Sequence, residues 1–536
     1  MSYVLDYDSF VKKEKNKNLE KYAHRGTFCI LNLNMFEFTA LVFSPTVMVV
    51  FLLVFLVGLL LFRVRDLPPG PTRIPVIGTL WWYVLQQLRG RRMPVALFEE
   101  SRRHGDVQLY YVAGNTIVYL FGYDAIQEAF VKRADDFSGR PDWLFKDLPS
   151  HGIVFSNGTK WRAIRKFTLV ALRDFGVGRT SLEEKIMREV DVAAELLRQN
   201  VEQPIEMRCI FHKMVTNIIF NIIFGKRLEY DSREFAEVSE KMQSILTDGA
   251  VIEPASLIPG FVWKLIGSDK RADAKATQKE TLAWVFSYVA GQIEQHRDTF
   301  QSDHIRDFVD HYLLQEREDS AAGGKSEITK ELMFGAIIDM FVAGTDTTAN
   351  TLNWAVLFLQ ENPEVQRQCQ AEIREKYGER QINWSDNGTL PYTEATILEI
   401  QRLGNIAEMS VPHACVKETT FRGYRIPAGS LVQANLLSSN LDSRHWDNPT
   451  QFCPDRHLQN GILKKNPAFM PFSIGPRMCL GTQLARMEMF LIITNLLQRF
   501  QFRREHQDVR HNLECTAGQL TAAPTPYHTR VSTCDV

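Results

Sequence analysis

From Phe38 to Phe62 the chain carries no charged residue, and most of the run is Val, Leu and Phe. Roughly 20 apolar residues cross a bilayer core as a helix, so this stretch is long enough to span with some tilt. A helix in a globular core keeps a polar face, and this run has none. It is also longer than the apolar region of a cleaved signal peptide, and Arg63 and Arg65 close it as a stop. A single transmembrane helix is therefore expected at residues 38–62. Charge does not orient it, because Lys17, Lys21 and Arg25 precede it while Arg63, Arg65 and Arg73 follow. Residues 1–37 form an extension, polar and lysine-rich as far as residue 34, with Met35 as an alternative start. After the span, Leu67-Pro-Pro-Gly-Pro71 cannot be helical, since proline fixes φ and restricts the residue before it. Residues 63–75 read as a stiff hinge.

Residues 76–536 are left for a globular part. Apolar residues make up 45% of the chain and charged ones 23%, which suits a packed enzyme and not a disordered chain. The net charge of -1 offers no footprint for nucleic acid. Eight cysteines are scattered without a CxxC pair, which excludes a zinc ribbon and argues against a disulfide framework. Strand-like alternation is confined to short pieces. Val107–Val112 and Thr116–Phe121 flank a Gly114-Asn115 turn, and similar runs lie near Phe421–Ile426 and Leu431–Ala434. Helical periodicity covers most of the rest, including Ser181–Asn200, Lys275–Gln295 and Thr482–Phe500. The longest pattern runs from about Glu331 to Gln360 without a proline, after a Gly323-Gly324 loop and before Pro363. At 1.5 Å per residue it measures on the order of 45 Å, enough to cross a domain. The expected fold class is mainly α with a small β-sheet region, in one large domain.

Residues 472–481 read Phe-Ser-Ile-Gly-Pro-Arg-Met-Cys-Leu-Gly. Two glycines and a proline force a turn, and a helix is predicted from about Leu480. Helix N-terminal amides then point at the sulfur of Cys479, where they and the helix dipole favour thiolate over thiol. A thiolate held on a rigid turn is what axial ligation of haem iron needs, and amide hydrogen bonds would tune its electron donation. A lone cysteine beside a turn is more often simply buried.

The combination Phe472-x-x-Gly475-x-Arg477-x-Cys479-x-Gly481 resembles the haem-binding signature of the cytochrome P450 family. Three further motifs resemble that family in order. Ala343-Gly-Thr-Asp-Thr-Thr348 is similar to its oxygen-activation motif, and Trp161-Arg-Ala-Ile-Arg165 to its Trp-x-x-x-Arg. Glu399-Ile-Gln-Arg402 resembles its Glu-x-x-Arg, with Arg456 as the later partner. The similarity is greatest to animal microsomal family 2 enzymes, through Pro68-Pro-Gly-Pro, Gly152-Ile-Val-Phe-Ser-Asn-Gly158, Pro391-Tyr-Thr-Glu-Ala-Thr-Ile and Arg422-Gly-Tyr-Arg-Ile-Pro427. One departure is His457, where the pattern has phenylalanine after the arginine; Arg456 is kept, so no functional loss is expected.

The resemblance implies a cytochrome P450 fold from about Pro68 onward and a haem b whose iron takes its thiolate from Cys479. It implies that Trp161, Arg165, His413, Ser473 and Arg477 hold the propionates, a task suited to the planar fork of arginine and the indole N–H. Asp346 and Thr347 take the place of proton-delivery groups. The hydroxyls of Thr345, Thr347 and Thr348 beside Gly344 can compete for backbone carbonyls and open a kink, or merely leave a soft spot in a packed helix. Glu399 and Arg402 share one helix face and, with Arg456, are expected to form a buried network around the cysteine loop. The alternative is an exposed pair worth under ~1 kcal/mol. The substrate pocket is expected to include Val154, Phe155, Phe341, Ala343, Ala407, Ser410, Val411 and Leu520, a mostly apolar set that suits a lipophile.

The activity so implied is insertion of one oxygen atom from O2 into a fatty acid, sterol or xenobiotic, with fatty acids favoured. Electrons would come from NADPH through a flavoprotein reductase, and cytochrome b5 is a second candidate partner. Arg162, Lys166 and Arg173 fall on one stripe that could dock an acidic donor, although such a stripe is more often a solvated face. The catalytic domain would sit on the cytosolic side of the endoplasmic reticulum membrane. Two other readings stay open. A haem-thiolate isomerase or dehydratase acts on lipid peroxides without an electron donor, but tends to lack the acid–threonine pair. A non-catalytic haem sensor or lipid carrier needs neither that pair nor the basic stripe.

Overall fold

The computed structural model describes residues 44–61, 66–74, 77–145, 152–176, 180–248, 270–323, 326–516 and 521–534. It comprises two compact units, residues 1–63 and 64–536. In the first, Pro45–Leu61 is a 17-residue helix without a charged side chain. Val47 to Leu56 are exposed along it, Phe51 by 76%. The remainder of the expected span, 38–43 and 62, lies outside the described residues.

The second unit is mostly helical, as composition and periodicity suggest. Its central helix, Lys330–Glu361, has 32 residues and measures about 48 Å. Thr329 caps its start, with its hydroxyl accepting from the Leu332 amide at 3.3 Å. Pro363 prevents continuation at the other end. Between Glu331 and Glu361 the only charged residues are Asp339 and Asp346, so almost the whole cylinder can be buried. It is buried from Leu332 to Ile337 and from Thr348 to Gln360. Between those stretches Ile338–Met340, Val342–Gly344 and Thr347 stay partly or fully accessible, although they lie mid-helix in the core.

The Met207–Phe224 helix packs along this central helix. Phe220 meets Phe341 edge-on at 6.1 Å, and Ile219 presses on Gly344. A Cβ at Gly344 would come within 2.6 Å of the Ile219 Cδ1, so any larger residue there would have to push the Ile219 side chain aside. Both helices are long and apolar enough to cross a membrane, yet each is mostly buried inside the unit. The helices expected from periodicity occur at Thr180–Gln199, Lys270–Thr299 and Thr482–Arg499.

A four-stranded sheet lies to one side. Val107–Val112 and Asn115–Phe121 pair antiparallel; the latter runs parallel to Leu431–Asn435, which pairs antiparallel with His413–Ala414. The hairpin turn is Ala113-Gly114, one residue earlier than expected, with φ of 48° and 81°. Two positive φ values close a two-residue loop that matches strand twist, and Asn115 is thereby free to start the ladder opposite Val112. This sheet matters for the site because it carries His413 to its place.

Candidate active site

The cysteine loop is a tight turn. The Cys479 amide donates to Phe472 O at 3.0 Å and the Met478 amide to Gly475 O at 3.0 Å. Gly475 has φ +84°, and a Cβ there would lie 2.1 Å from Phe130 O, so no side chain fits. The following helix begins at Thr482 with Gly481 as its N-cap, slightly later than predicted. Cys479 is accessible at its surface yet ringed by protein. Burial pushes its thiol up, while the Gly481 amide, the Thr482 hydroxyl and Arg165 pull it down. The donors act in the expected direction, and burial opposes them. Desolvation is the largest effect, and a bound cation would be needed to reverse it.

Above the loop, cationic groups converge. Arg477 donates from Nε to Ser138 O at 2.9 Å and from Nη2 to Ser156 O at 2.7 Å. Its guanidinium lies 3.9 Å from the centre of the Trp161 ring. Its Nη1 is buried and, among the described residues, has no hydrogen-bond partner. Arg165 reaches Met478 O at 2.9 Å from the same helix as Trp161, Gly158–Asp174. His413 stacks on Phe130 at 4.0 Å and sets Nδ1 2.7 Å from Phe137 O, so Nδ1 carries the hydrogen. Ser473 stands in the turn at φ +57°.

Arg140 joins this group, and sequence reasoning missed it. Its Nε donates to Val154 O at 2.8 Å and its Nη1 to Pro412 O at 2.8 Å. A basic residue between Gly139 and Pro141 is only a faint signal of such a role. Burial and mutual repulsion lower Arg140, Arg477 (to about 9) and His413. Among the described residues none of Arg140, Arg165 and Arg477 forms a salt bridge. An accessible thiol beside clustered cations, with one guanidinium donor unpaired among the described residues, fits an iron macrocycle bearing two carboxylates.

The accessible stripe of the central helix faces its own set of partners. Thr347 donates its hydroxyl to Ala343 O at 2.6 Å, leaving its oxygen as an acceptor. Asp339 accepts from the Ile153 and Val154 amides at 2.6 and 2.8 Å. Burial pushes its carboxyl up to about 7. Gly152 allows this contact, since a Cβ there would lie 2.3 Å from the Asp339 carboxylate. Asp339 thus pins the 152–155 turn to the central helix, a role readable in principle from a lone acid inside an apolar helix. Thr348 donates to Glu488 at 3.3 Å, and burial raises that carboxyl to about 8. Asp346 turns away from the stripe and accepts from the Thr521 hydroxyl.

The expected pocket residues divide. Val154, Phe155, Ala407 and Val411 are half-buried and Ala343 is exposed. Phe341 is buried against Phe220 instead, because its position on the helix turns it toward the neighbouring helix. Ser410 is also buried, its hydroxyl accepting from the Ala434 amide at 3.0 Å. Leu520 lies outside the described residues.

The network around Glu399 is fuller than expected. Arg402 donates to it from Nε and Nη2, each at 2.8 Å, and Arg456 from Nε at 3.0 Å. The Cys453 amide adds a bond at 2.9 Å. His457, the departure from the family pattern, sets Nε2 2.9 Å from the second carboxylate oxygen and is itself buried. Hydrogen bonds and the Arg402 charge overcome burial and hold Glu399 down at about 2.

Comparison with known proteins agrees with this geometry. The family model described as "Cytochrome P450" matches residues 68–531. Cytochrome P450 2B4 of Oryctolagus cuniculus is 36% identical over 462 residues, covering 84% of this chain and 92% of that protein. Cytochrome P450 2J2 of Homo sapiens is 34% identical over 449 residues, covering 82% and 86%. Cytochrome P450 2U1 of Mus musculus is 32% identical over 490 residues, covering 88% and 91%. A helical unit with small sheets, a thiol on a rigid turn and a family match over most of the chain have one reading: the chain belongs to the cytochrome P450 family, the haem-thiolate monooxygenases.

Proposed function

We propose that Cys479 supplies the thiolate to haem iron and that Arg140, Arg165, Arg477, Trp161, His413 and Ser473 receive the propionates. The observation that carries this is Arg477 Nη1, a buried donor that has no partner among the described residues and lies beside the cysteine turn. Bound haem would activate O2 with electrons from NADPH, passed on by a flavoprotein reductase, to oxygenate a lipophilic substrate. The protein's own residues exclude water, orient the substrate and place protons. Val154, Ala343 and Val411 offer an apolar wall for a fatty acid, sterol or xenobiotic, and a long-chain fatty acid is our first choice. Dioxygen consumption driven by reductase and NADPH tests the reading. Its absence would favour a peroxide isomerase or a haem carrier.

Thr347 would hold water, a reading supported by its hydroxyl hydrogen being spent on Ala343 O while its oxygen stays an acceptor. Thr347→Ala removes that acceptor and little volume, so haem binding should survive. NADPH oxidation is expected to continue while product per NADPH falls and hydrogen peroxide rises. A fully coupled Thr347→Ala enzyme would move the role to another group.

Arg162, Lys166 and Arg173 are exposed on the Trp161 helix, beside Leu169, which is 45% exposed. We read this basic strip as the reductase or cytochrome b5 contact, weakened by added salt. We read residues 1–37 as an extension, 38–62 as a single-pass anchor in the endoplasmic reticulum membrane, 63–75 as the hinge and 76–536 as a cytosolic catalytic domain. Asn387, in the sequon Asn387-Gly-Thr, is exposed and would report a luminal domain. Asn157, in a similar sequon, is a poor reporter because its amide is bonded to Arg140 O and Asp142. The expected result is no glycosidase-sensitive mass shift in the membrane-bound protein. A shift abolished by Asn387→Gln would overturn this topology.

A further inference from the structure

Asp346 points away from the accessible stripe, toward the Met207–Phe224 helix and the segment after residue 520. One carboxylate oxygen accepts from the Thr521 hydroxyl, and Thr521 in turn accepts from the Asn350 amide at 3.2 Å. The other lies 3.6 Å from Nε2 of His212. That nitrogen and Asn350 Oδ1 are both buried, and among the described residues neither makes a hydrogen bond of good geometry. The ring nitrogen therefore stands beyond hydrogen-bond distance of the Asp346 carboxylate, with the Asn350 side chain beside it. A purely structural tie between two helices would close such a gap, because an unmade bond at a buried polar group is costly. A group that must repeatedly give up and regain a proton is better served by a loose contact.

The other side of the ring leads outward. The His212 side chain is 20% exposed against 10% for Asp346. Cys209, a turn earlier on the same helix, is exposed, and Arg208 and Lys213 are half-buried. We propose that His212 is the proton entry for Asp346. Solvent protonates the other ring nitrogen; Nε2–H passes its proton to the free carboxylate oxygen of Asp346; the neutral ring, left with its hydrogen on Nδ1, flips to present that N–H to Asp346 and takes its next proton from water on the nitrogen turned outward. The carboxyl holds the proton on the helix turn that bears Thr347, and monooxygenation consumes it together with the electrons from NADPH.

The groups facing the ring suit this task. Burial lowers its pKa most, Asp346 raises it, Arg208 on its own helix lowers it, and Asn350 raises it. The net shift is downward, so the ring, once protonated, gives up its proton more readily than a free imidazolium and is not a permanent cation.

The proposal rests on the monooxygenase reading, and its test separates the two. His212→Gln keeps a polar side chain that cannot titrate. His212→Arg keeps the charge and the pairing but cannot release a proton. Both should retain the cysteine-dependent absorption of the reduced, carbon-monoxide-bound protein. Both should lower kcat by about tenfold or more, with KM little changed, and flatten the pH profile of turnover. The second readout needs no turnover: in protein labelled at histidine, the His212 resonance should titrate at lower pH in Asp346→Asn than in wild type. If wild type consumes no O2 with reductase and NADPH, the monooxygenase reading fails. If wild type turns over and both variants keep its kcat and pH profile, His212 is only a helix tie. A His212 resonance that ignores Asp346→Asn overturns the proposal whatever the activity.

Discussion

Cys479→Ser is expected to abolish the long-wavelength absorption band of the reduced, carbon-monoxide-bound protein, and with it all turnover. That band reports a thiolate on iron, and serine's hydroxyl does not ionise in its place. The loop itself should persist, because its hydrogen bonds run through the backbone of Phe472, Gly475, Met478 and Cys479. Loss of the band will therefore be a loss of ligation and not of fold, which circular dichroism checks. Serine at Cys29, Cys209, Cys369, Cys415, Cys453, Cys515 or Cys534 should leave the band in place. Cys369 and Cys415 are buried with thiols raised to about 12 and about 11, which makes them inert packing groups. Retention of the band in Cys479→Ser would end the central assignment.

Glu399→Gln should be nearly as damaging, through the fold. Glutamine keeps the shape but leaves the Arg402 guanidinium, which is 0% exposed, without its counter-charge. Removing one partner of such a pair costs about 3–5 kcal/mol, against a total stability of about 5–15 kcal/mol. The pKa supports this scale: lowering Glu399 from 4.5 to about 2 corresponds to about 3 kcal/mol. The folded value lies below the unfolded one, so this stabilisation is present above pH 4.5 and is lost as pH falls toward 2. Acid unfolding of wild type should steepen over that interval, and Glu399→Gln should show a flatter dependence from a lower start. His457→Phe removes one donor while keeping ring contacts with Trp446 and Phe469, so about 1–3 kcal/mol is expected. Chemical denaturation of the three proteins checks the order. A His457→Phe variant as damaged as Glu399→Gln would mean the imidazole, not the carboxylate, organises the network.

Much of the site was legible because its parts are local in sequence. The Phe472–Gly481 turn needs only neighbouring glycines and a proline, and the spacing of Trp161 and Arg165 puts both on one helix face. Likewise Glu399 and Arg402 meet at i,i+3 without help from any other segment. The long central helix could be read from its apolar content and from Pro363. What only the tertiary structure decided depends on segments far apart in the chain. His457 reaches Glu399 across 58 positions, Asp339 reaches the Ile153 amide across 186, and Asp346 reaches Thr521 across 175. The direction of Asp346 and the burial of Phe341 follow from which helix packs alongside, which periodicity does not name. Cys479 makes the same point electrostatically. Nearby donors that favour thiolate can be seen in the sequence, but desolvation comes from everything folded around the sulfur, and here it is the larger effect.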